Sequence, residues 1–301
     1  MMPRRAWIAI AIALIPGPAV SGQPTAFHAG TRLVVVHATV RNSRGELVTT
    51  LDRGAFAVSE NGKPQPIAIF RRDDIPVSLG LLIDNSGSMR TLRLTVEAAA
   101  LALARASNPQ DEIFVLNFND KARIDVPFTS DVHVLEAGIK RVDSIGGTAM
   151  RDAIAVAQTY LLEHGTRDRK VLVVITDGID NSSLVTAEEV AQQAERRDTL
   201  VFAVGLFGDE ARTKRGRHEL DQLVERTGGL GFYPSSIDDI GATAIEIAHQ
   251  IRNQYTIAYT PVNQALDGTY RQIRLSVRGS ERLSVRTRAG YVASLETSSR
   301  P

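Results

Sequence analysis

The chain contains no cysteine, which removes disulfide frameworks, thiolate zinc sites and cysteine nucleophiles at once. Aromatic residues make up only 5% of it, and net charge is nearly absent, with 35 Lys and Arg against 34 Asp and Glu. Two of those bases, Arg4 and Arg5, sit in the first segment, so the remainder is slightly acidic. A balanced chain without a basic run offers no electrostatic footing for nucleic acid. Beyond the N-terminal segment there is no long apolar run, and so no candidate membrane span. What remains is 43% hydrophobic residues over 301 positions. That is enough for one large α/β domain and something smaller, with no covalent staple needed for folding.

Residues 1–22 start with Arg4 and Arg5, run through a short apolar stretch from Ala6 to Ile15, and break at Pro16, Gly17 and Pro18. Small residues follow. This layout predicts a secretory signal peptide and hence a secreted or periplasmic protein, the alternative being an uncleaved N-terminal anchor. With no cysteine near the cleavage region, a lipoprotein anchor is excluded.

Three rhythms follow. Residues 30–74 are strand-like, and Asn61-Gly62 between FAVSE and KPQPIAIF predicts a hairpin because both residues tolerate positive φ. Residues 76–253 alternate short apolar runs (VSLGLLI, EIFVLNF, KVLVVIT, TLVFAVGL, GLGFYP) with amphipathic stretches. That pattern predicts a doubly wound, mostly parallel α/β sheet covered on both faces. KARIDVPFT follows EIFVLNF after Asn119-Asp120, which adds one antiparallel edge strand. Residues 254–293 alternate apolar and polar positions again, in the runs YTIAYTP, YRQIRLSVRG and RLSVRTRAGYV, as a sheet with one wet face does. Because the two β segments bracket the central unit, they are expected to pack together as a small β domain.

Ligands of open α/β sheets bind where loops converge at the carboxyl ends of the parallel strands. The first such loop, in LLIDNSGSM, carries Asp84, Ser86 and Ser88; the second, SIGGTAM, carries Thr148; the third, TDGIDNSS, carries Asp177. All five offer oxygen, with no imidazole and no sulfur, which suits Mg²⁺, Mn²⁺ or Ca²⁺ better than zinc or copper. Two carboxylates roughly neutralise a divalent ion, and hydroxyls fill further positions without quenching it. A site so poor in anions keeps a position open, for which a partner's carboxylate is the natural occupant. The plain competing reading is that Ser88 simply caps a helix beginning near Met89.

DNSGSM, GGT and TDG, in that order on an alternating α/β background, resemble the metal ion-dependent adhesion site of von Willebrand factor type A domains. The D-x-S-x-S motif of that family falls on Asp84, Ser86 and Ser88, its separate threonine on Thr148 and its separate aspartate on Asp177, with no position substituted. The flanking β segments look more loosely like those of bacterial members. The resemblance implies a sheet with one antiparallel edge strand and a bound Mg²⁺, Mn²⁺ or Ca²⁺. It also implies a protein partner offering an exposed Asp or Glu, and a last helix (238–253) coupled to ligand binding. By the same resemblance Thr148 would contact the metal in some states and Asp177 would act through water.

Other signals are weaker. Asp180 and Asn181 read equally as support for the site or as turn formers, and Asp152 as a loop clamp or a favourable charge at a helix start. His218-Glu219 lacks the second histidine of a zinc-protease helix, since position 222 is Gln222. The residues around Gly87 do not form a nucleophile elbow, and Ser86 stands where a phosphatase of the haloacid dehalogenase type needs a second aspartate. With no nucleophile and no placed base, an enzyme is the poorer reading. The rivals to a binding module are a metal-dependent hydrolase and an envelope component whose metal only stabilises. Arg212, Lys214, Arg215 and Arg217 read as a solvated loop.

Overall fold

A computed structural model of the chain describes residues 33–140, 144–177, 179–206, 210–279 and 282–294. Residues 1–22, for which a signal peptide is expected, lie outside the described residues, as do residues 295–301.

Four strands come first: β1 (Val34–Arg41), β2 (Phe56–Glu60), β3 (Lys63–Gln65) and β4 (Ile67–Arg71). Asn61 and Gly62 take φ of 48° and 78° in the turn joining β2 to β3, the left-handed pair that matches hairpin twist. The central unit then runs β5 (Val77–Asp84), α1 (Arg93–Ala106), β6 (Glu112–Phe118), β7 (Ala122–Thr129), α2 (Val132–Ile139), α3 (Met150–His164), β8 (Arg169–Thr176), α4 (Ala187–Arg196), β9 (Thr199–Gly205), α5 (Glu210–Thr227), β10 (Gly231–Phe232) and α6 (Asp239–Arg252). The chain closes with β11 (Tyr255–Tyr259), β12 (Tyr270–Val277), β13 (Ser284–Arg286) and β14 (Gly290–Val292). Among the described residues no helix is long and apolar enough to cross a membrane.

The central sheet has the order β10-β9-β8-β5-β6-β7. All its pairings are parallel except β6 with β7, the hairpin at one edge. Every residue of β5 is buried, because helices cover both faces. Leu79, Leu81 and Ile83 point into a cluster that includes Val96, Leu103 and Ile247 of α1 and α6. Leu82 points into the opposite cluster, with Ile154, Leu161 and Val190 of α3 and α4. Gly80, on that second face, leaves the space taken by the Phe114 ring and Leu172. From β5 the chain moves first to β6 on one side and later to β8 on the other. The end of β5 is therefore the point where the winding reverses, the usual place for a ligand crevice.

The outer strands form two further four-stranded sheets, β13-β1-β11-β4 and β14-β12-β2-β3. Each mixes strands from before and after the central unit: β1 pairs antiparallel with β11 from Val34↔Tyr259 to Ala38↔Tyr255, and β2 with β12 from Glu60↔Ile273 to Phe56↔Val277. Their shared core holds Val36, Val58, Ile257, Leu275 and Tyr291, with Phe56, Phe70 and Tyr255 rings in mutual contact.

The structure corrects two expectations. Lys214, Arg215 and Arg217 lie in helix α5, not in a loop; Arg212 falls in the same helix. This helix is strongly polar, and among its described side chains the buried hydrophobics are Leu220, Leu223 and Val224, so its apolar stripe is too short to stand out as a period. The stretch RLSVRTRAGYV is not one strand: β13 pairs with β1 while β14 pairs with β12, so the segment passes from one sheet to the other.

Gly80→Ala is expected to destabilise the protein by about 2 kcal/mol, because a methyl group there drives into the Phe114 ring inside a close-packed face. Chemical denaturation of the variant checks this, and an unchanged midpoint would mean that the ring moves aside freely.

Candidate metal centre

Three loops meet above the end of β5. Asp84 closes the strand and is 1% exposed. Its Oδ1 accepts the N–H of Ser86 at 2.8 Å and its Oδ2 accepts the hydroxyl of Thr176, the last residue of β8, at 2.6 Å. The hydroxyls of Ser86 and Ser88 share a hydrogen bond of 3.1 Å, and Ser88 Oγ donates to Asp177 Oδ1 at 2.8 Å. Asp84, Ser86, Ser88 and Asp177 thus form one connected set of oxygens. Neither serine caps a helix: a 3₁₀ turn (Gly87–Thr91) precedes α1, and no side-chain cap bond forms at Ser86 or Leu92. The capping explanation for the motif does not hold.

Thr148 is buried on the neighbouring loop, and its backbone ties that loop to the one after Asp177. Its N–H donates to Asn181 Oδ1 at 2.9 Å, and its carbonyl accepts from the N–H groups of Asn181 (3.0 Å) and Ser182 (3.2 Å). The two glycines before it stand against polar side-chain ends. Gly146 has φ of +84°, and a Cβ on either glycine would strike Asp120, and on Gly147 also Asn181 and Ser182. Asp120, in the turn between β6 and β7, accepts the N–H of Gly147 at 2.8 Å. That clamp was not foreseen from the sequence, where Asp120 looked like an ordinary turn residue.

The remaining acids support the loops. Asp152 Oδ1 accepts the N–H groups of Leu184 and Val185, both at 3.0 Å, so it clamps the loop as well as favouring the start of α3. Asp180 accepts the Arg151 N–H at 2.7 Å and pairs with its guanidinium at 3.1 Å. Burial pushes its carboxyl upward, but the hydrogen bonds from Arg151 and Ser183 outweigh that and hold it below the ordinary value. Under the first loop, Asn85 donates to Asn117 Oδ1 at 2.6 Å, and Asn117 donates to Asp125 at 2.7 Å.

Residues 79–181 match the family described as von Willebrand factor type A domain. The matched stretch is about a third of the chain. Solved structures agree in fold: a von Willebrand factor type A protein from Catenulispora acidiphila superposes with a TM-score of 0.53, covering 91% of this chain and 78% of its own at 13% identity. Proximal thread matrix protein 1 from the mussel byssus has a TM-score of 0.51 over 64% of this chain and 51% of its own, at 17% identity. A further structure of that mussel protein has a zinc-occupied MIDAS motif. Among relatives, an uncharacterized protein of Borreliella burgdorferi is 26% identical over 189 residues, 55% of this chain and 52% of that protein. Calcium-activated chloride channel regulator 1 of Macaca mulatta is 28% identical over 163 residues, 52% of this chain and 17% of its own length. The chain therefore spans about half the length of the first relative and much less of the second.

Within the matched stretch, the electrostatics of Asp84 test whether a cation fits. Burial is the main cause that pushes its carboxyl up from the ordinary 3.8 to about 6, and the nearby Asp177 adds to this against the hydroxyl and N–H bonds. No basic group is among the causes. Two carboxylates joined through serine hydroxyls, one of them buried, are an arrangement that a hard cation relieves. Among the described residues no three His, Cys, Asp or Glu side chains gather as a metal cluster, so a cation here would depend on hydroxyls as much as on charge.

The raised value also has a sign for stability. The unfolded chain holds this carboxyl near its ordinary value, so the ionised form opposes folding above about pH 6. The opposition fades as pH falls toward 4; a shift of about two pH units corresponds to roughly 3 kcal/mol. Asp84→Asn removes the charge and keeps one acceptor, for the Ser86 N–H, while its amide N–H can donate to the Thr176 hydroxyl oxygen. In chelator at about pH 7.5 the variant is expected to melt at or above the wild-type temperature, and the difference should shrink at about pH 5. Thermal scans at the two pH values check this; a variant less stable than wild type at both would show that the carboxylate is stabilised where it lies.

Proposed function

We propose that this protein is a divalent-cation-dependent protein-binding module that captures an acidic residue of its partner. The observation that carries the reading is the connected oxygen set at the winding reversal of the sheet, Asp84–Ser86–Ser88–Asp177, whose two serines cap no helix. Asp84, Ser86, Ser88 and Asp177, with Thr148 from the adjoining loop, would hold Mg²⁺, or Mn²⁺ or Ca²⁺ in its place. When bound, the cation supplies an open coordination position for a carboxylate oxygen of the partner.

The chain's own residues prepare the surface. Thr176 and the Ser86 N–H hold the Asp84 carboxyl in one orientation, and Asp120, Asn181 and Asp152 pin the three loops to each other. A preorganised set of this kind loses little freedom on binding. Such chemistry suits adhesion or scaffolding rather than catalysis. The composition of residues 1–22 supports export, and we place the working protein outside the cytoplasm.

Mg²⁺ at about a hundred times its dissociation constant is expected to raise the melting temperature by about 5–10 °C. Asp84→Ala and Asp177→Ala should abolish that rise. The decisive experiment is capture of binding partners from envelope or culture extract, with Mg²⁺ and with chelator, using wild type and Asp84→Ala. A partner lost both on chelation and in the variant supports a cation-dependent adhesive site. A melting rise with capture indifferent to chelation would mean that the metal only stabilises and that the outer β strands do the binding.

A further inference from the structure

The edge of the oxygen set is uneven in charge and polarity. On the side toward α3, the acids are engaged: Asp120 by Gly147, Asp152 by Leu184 and Val185, Asp180 by Arg151. On the side toward α1 stands Arg90, two residues after Ser88 in the same 3₁₀ turn. Its Nη2 donates to the carbonyl of Ser144 at 3.2 Å. Among the described residues no carboxylate pairs with this exposed guanidinium, whereas the nearby Arg93 is paired with Glu97 at 2.7 Å.

Beside Arg90, residues 144–146 lie along the D-x-S-x-S loop. They are fastened by Ile145 N–H to the Asn85 carbonyl (3.0 Å), by Gly87 N–H to the Gly146 carbonyl (3.1 Å), and by the Arg90 bond to Ser144. The Ile145 side chain is nevertheless 57% exposed. Single exposed aliphatics are ordinary on protein surfaces. This one is distinguished by lying in a segment fastened at three points to the D-x-S-x-S loop and to the exposed Arg90 guanidinium.

We propose that Arg90 and Ile145 set the selectivity of the cation site, favouring a partner segment in which the captured acidic residue has an aliphatic neighbour and a second carboxylate close by. The inference rests on the cation-dependent reading above and goes beyond it by naming the sequence chemistry of the partner. The guanidinium presents a planar fork of donors that matches a carboxylate in two bonds. Ile145 supplies apolar area at the foot of the same contact, against which an aliphatic side chain is drawn out of water. A lone aspartate on a polar loop satisfies the cation but leaves both residues unused.

The test uses the full chain and backbone-cyclised peptides built on Gly-Asp-Gly, Leu-Asp-Gly and Leu-Asp-Gly-Glu, together with the reversed order Glu-Gly-Asp-Leu. Each is titrated by NMR chemical-shift perturbation, with Mg²⁺ and with chelator. In Mg²⁺, leucine is expected to raise affinity about fivefold over the glycine peptide, and glutamate a further threefold or so in at least one order. Ile145→Ser should erase only the leucine increment and Arg90→Gln only the glutamate increment, while Arg90→Lys restores part of the latter. The rise of melting temperature with Mg²⁺ should be the same in all three variants, which shows that they fold and still bind the ion. If every peptide binds in Mg²⁺ with equal affinity, or the variants keep the wild-type preferences, this proposal is overturned and the cation-dependent function stands. If no peptide binds differently in Mg²⁺ and in chelator, the underlying reading fails and this one falls with it.

Discussion

The structure turns on a carboxyl group placed where a carboxyl group is costly. Asp84 ends a strand buried along its whole length, between helices on both faces of the sheet. A buried acid must find donors or lose its charge. Two are provided, the Thr176 hydroxyl at the end of the adjacent strand and the Ser86 N–H of its own loop. Those bonds fix how the chain leaves β5, and through Ser86 they fix where Ser88 meets Asp177. The bend after the strand, the absence of a conventional helix cap and the hydroxyl-rich surface above the sheet all follow from that one burial.

A surface built from three loops keeps its shape only if the loops brace each other. Here they do so through side chains that take no part in the oxygen set. Asp120 reaches from the edge hairpin to Gly147, Asn181 reaches back to Thr148, and Asp152 reaches from α3 to the loop before α4. The two glycines at 146 and 147 are the counterpart of this bracing: a Cβ at either would displace the Asp120 carboxylate, and at 147 also the Asn181 and Ser182 side chains, from the places where they brace the loops. Rigid bracing by backbone-directed carboxylates keeps charged groups away from the centre while lowering the freedom of the loops above it.

The opposite end of the central sheet is held to the outer strands by polar contacts. Arg169, at the start of β8, is buried, which pulls its guanidinium down to about 10, and it donates to Gln254, whose amide in turn donates to Thr39 of β1 at 3.0 Å. Arg252, closing α6, pairs with Asp74 ahead of β5 at 2.7 Å. In the outer sheets a buried acid again organises its neighbours: Glu60 Oε2 accepts the hydroxyls of Tyr259 and Tyr291, each at 2.9 Å, with Arg271 at 3.5 Å from Oε1. Strands that precede and follow the central unit are thereby fastened to each other through side chains as well as through their ladders.

Local sequence was enough to determine elements whose physics is local. The alternation of apolar runs and amphipathic stretches specified a covered parallel sheet, Asn61-Gly62 specified a left-handed turn, and Asn119-Asp120 specified the antiparallel edge. Asp84 and Asp177 stood out in the sequence because each follows a strand run, Ser86 and Ser88 because they share the loop of Asp84, and Thr148 because it follows two glycines ahead of a helix. Helix α5 was hidden because its few apolar residues make too short a stripe, and the split of residues 284–292 between two sheets was hidden because partner choice leaves no mark on strand alternation. Only the tertiary structure decided that Ser88 turns away from the helix behind it toward Asp177, 89 residues later. It also decided that Asp120, an unremarkable turn residue by sequence, clamps Gly147. A hydroxyl or carboxylate carries no local signature of the group it will bond; that choice belongs to whichever donors the folded chain brings within three ångströms.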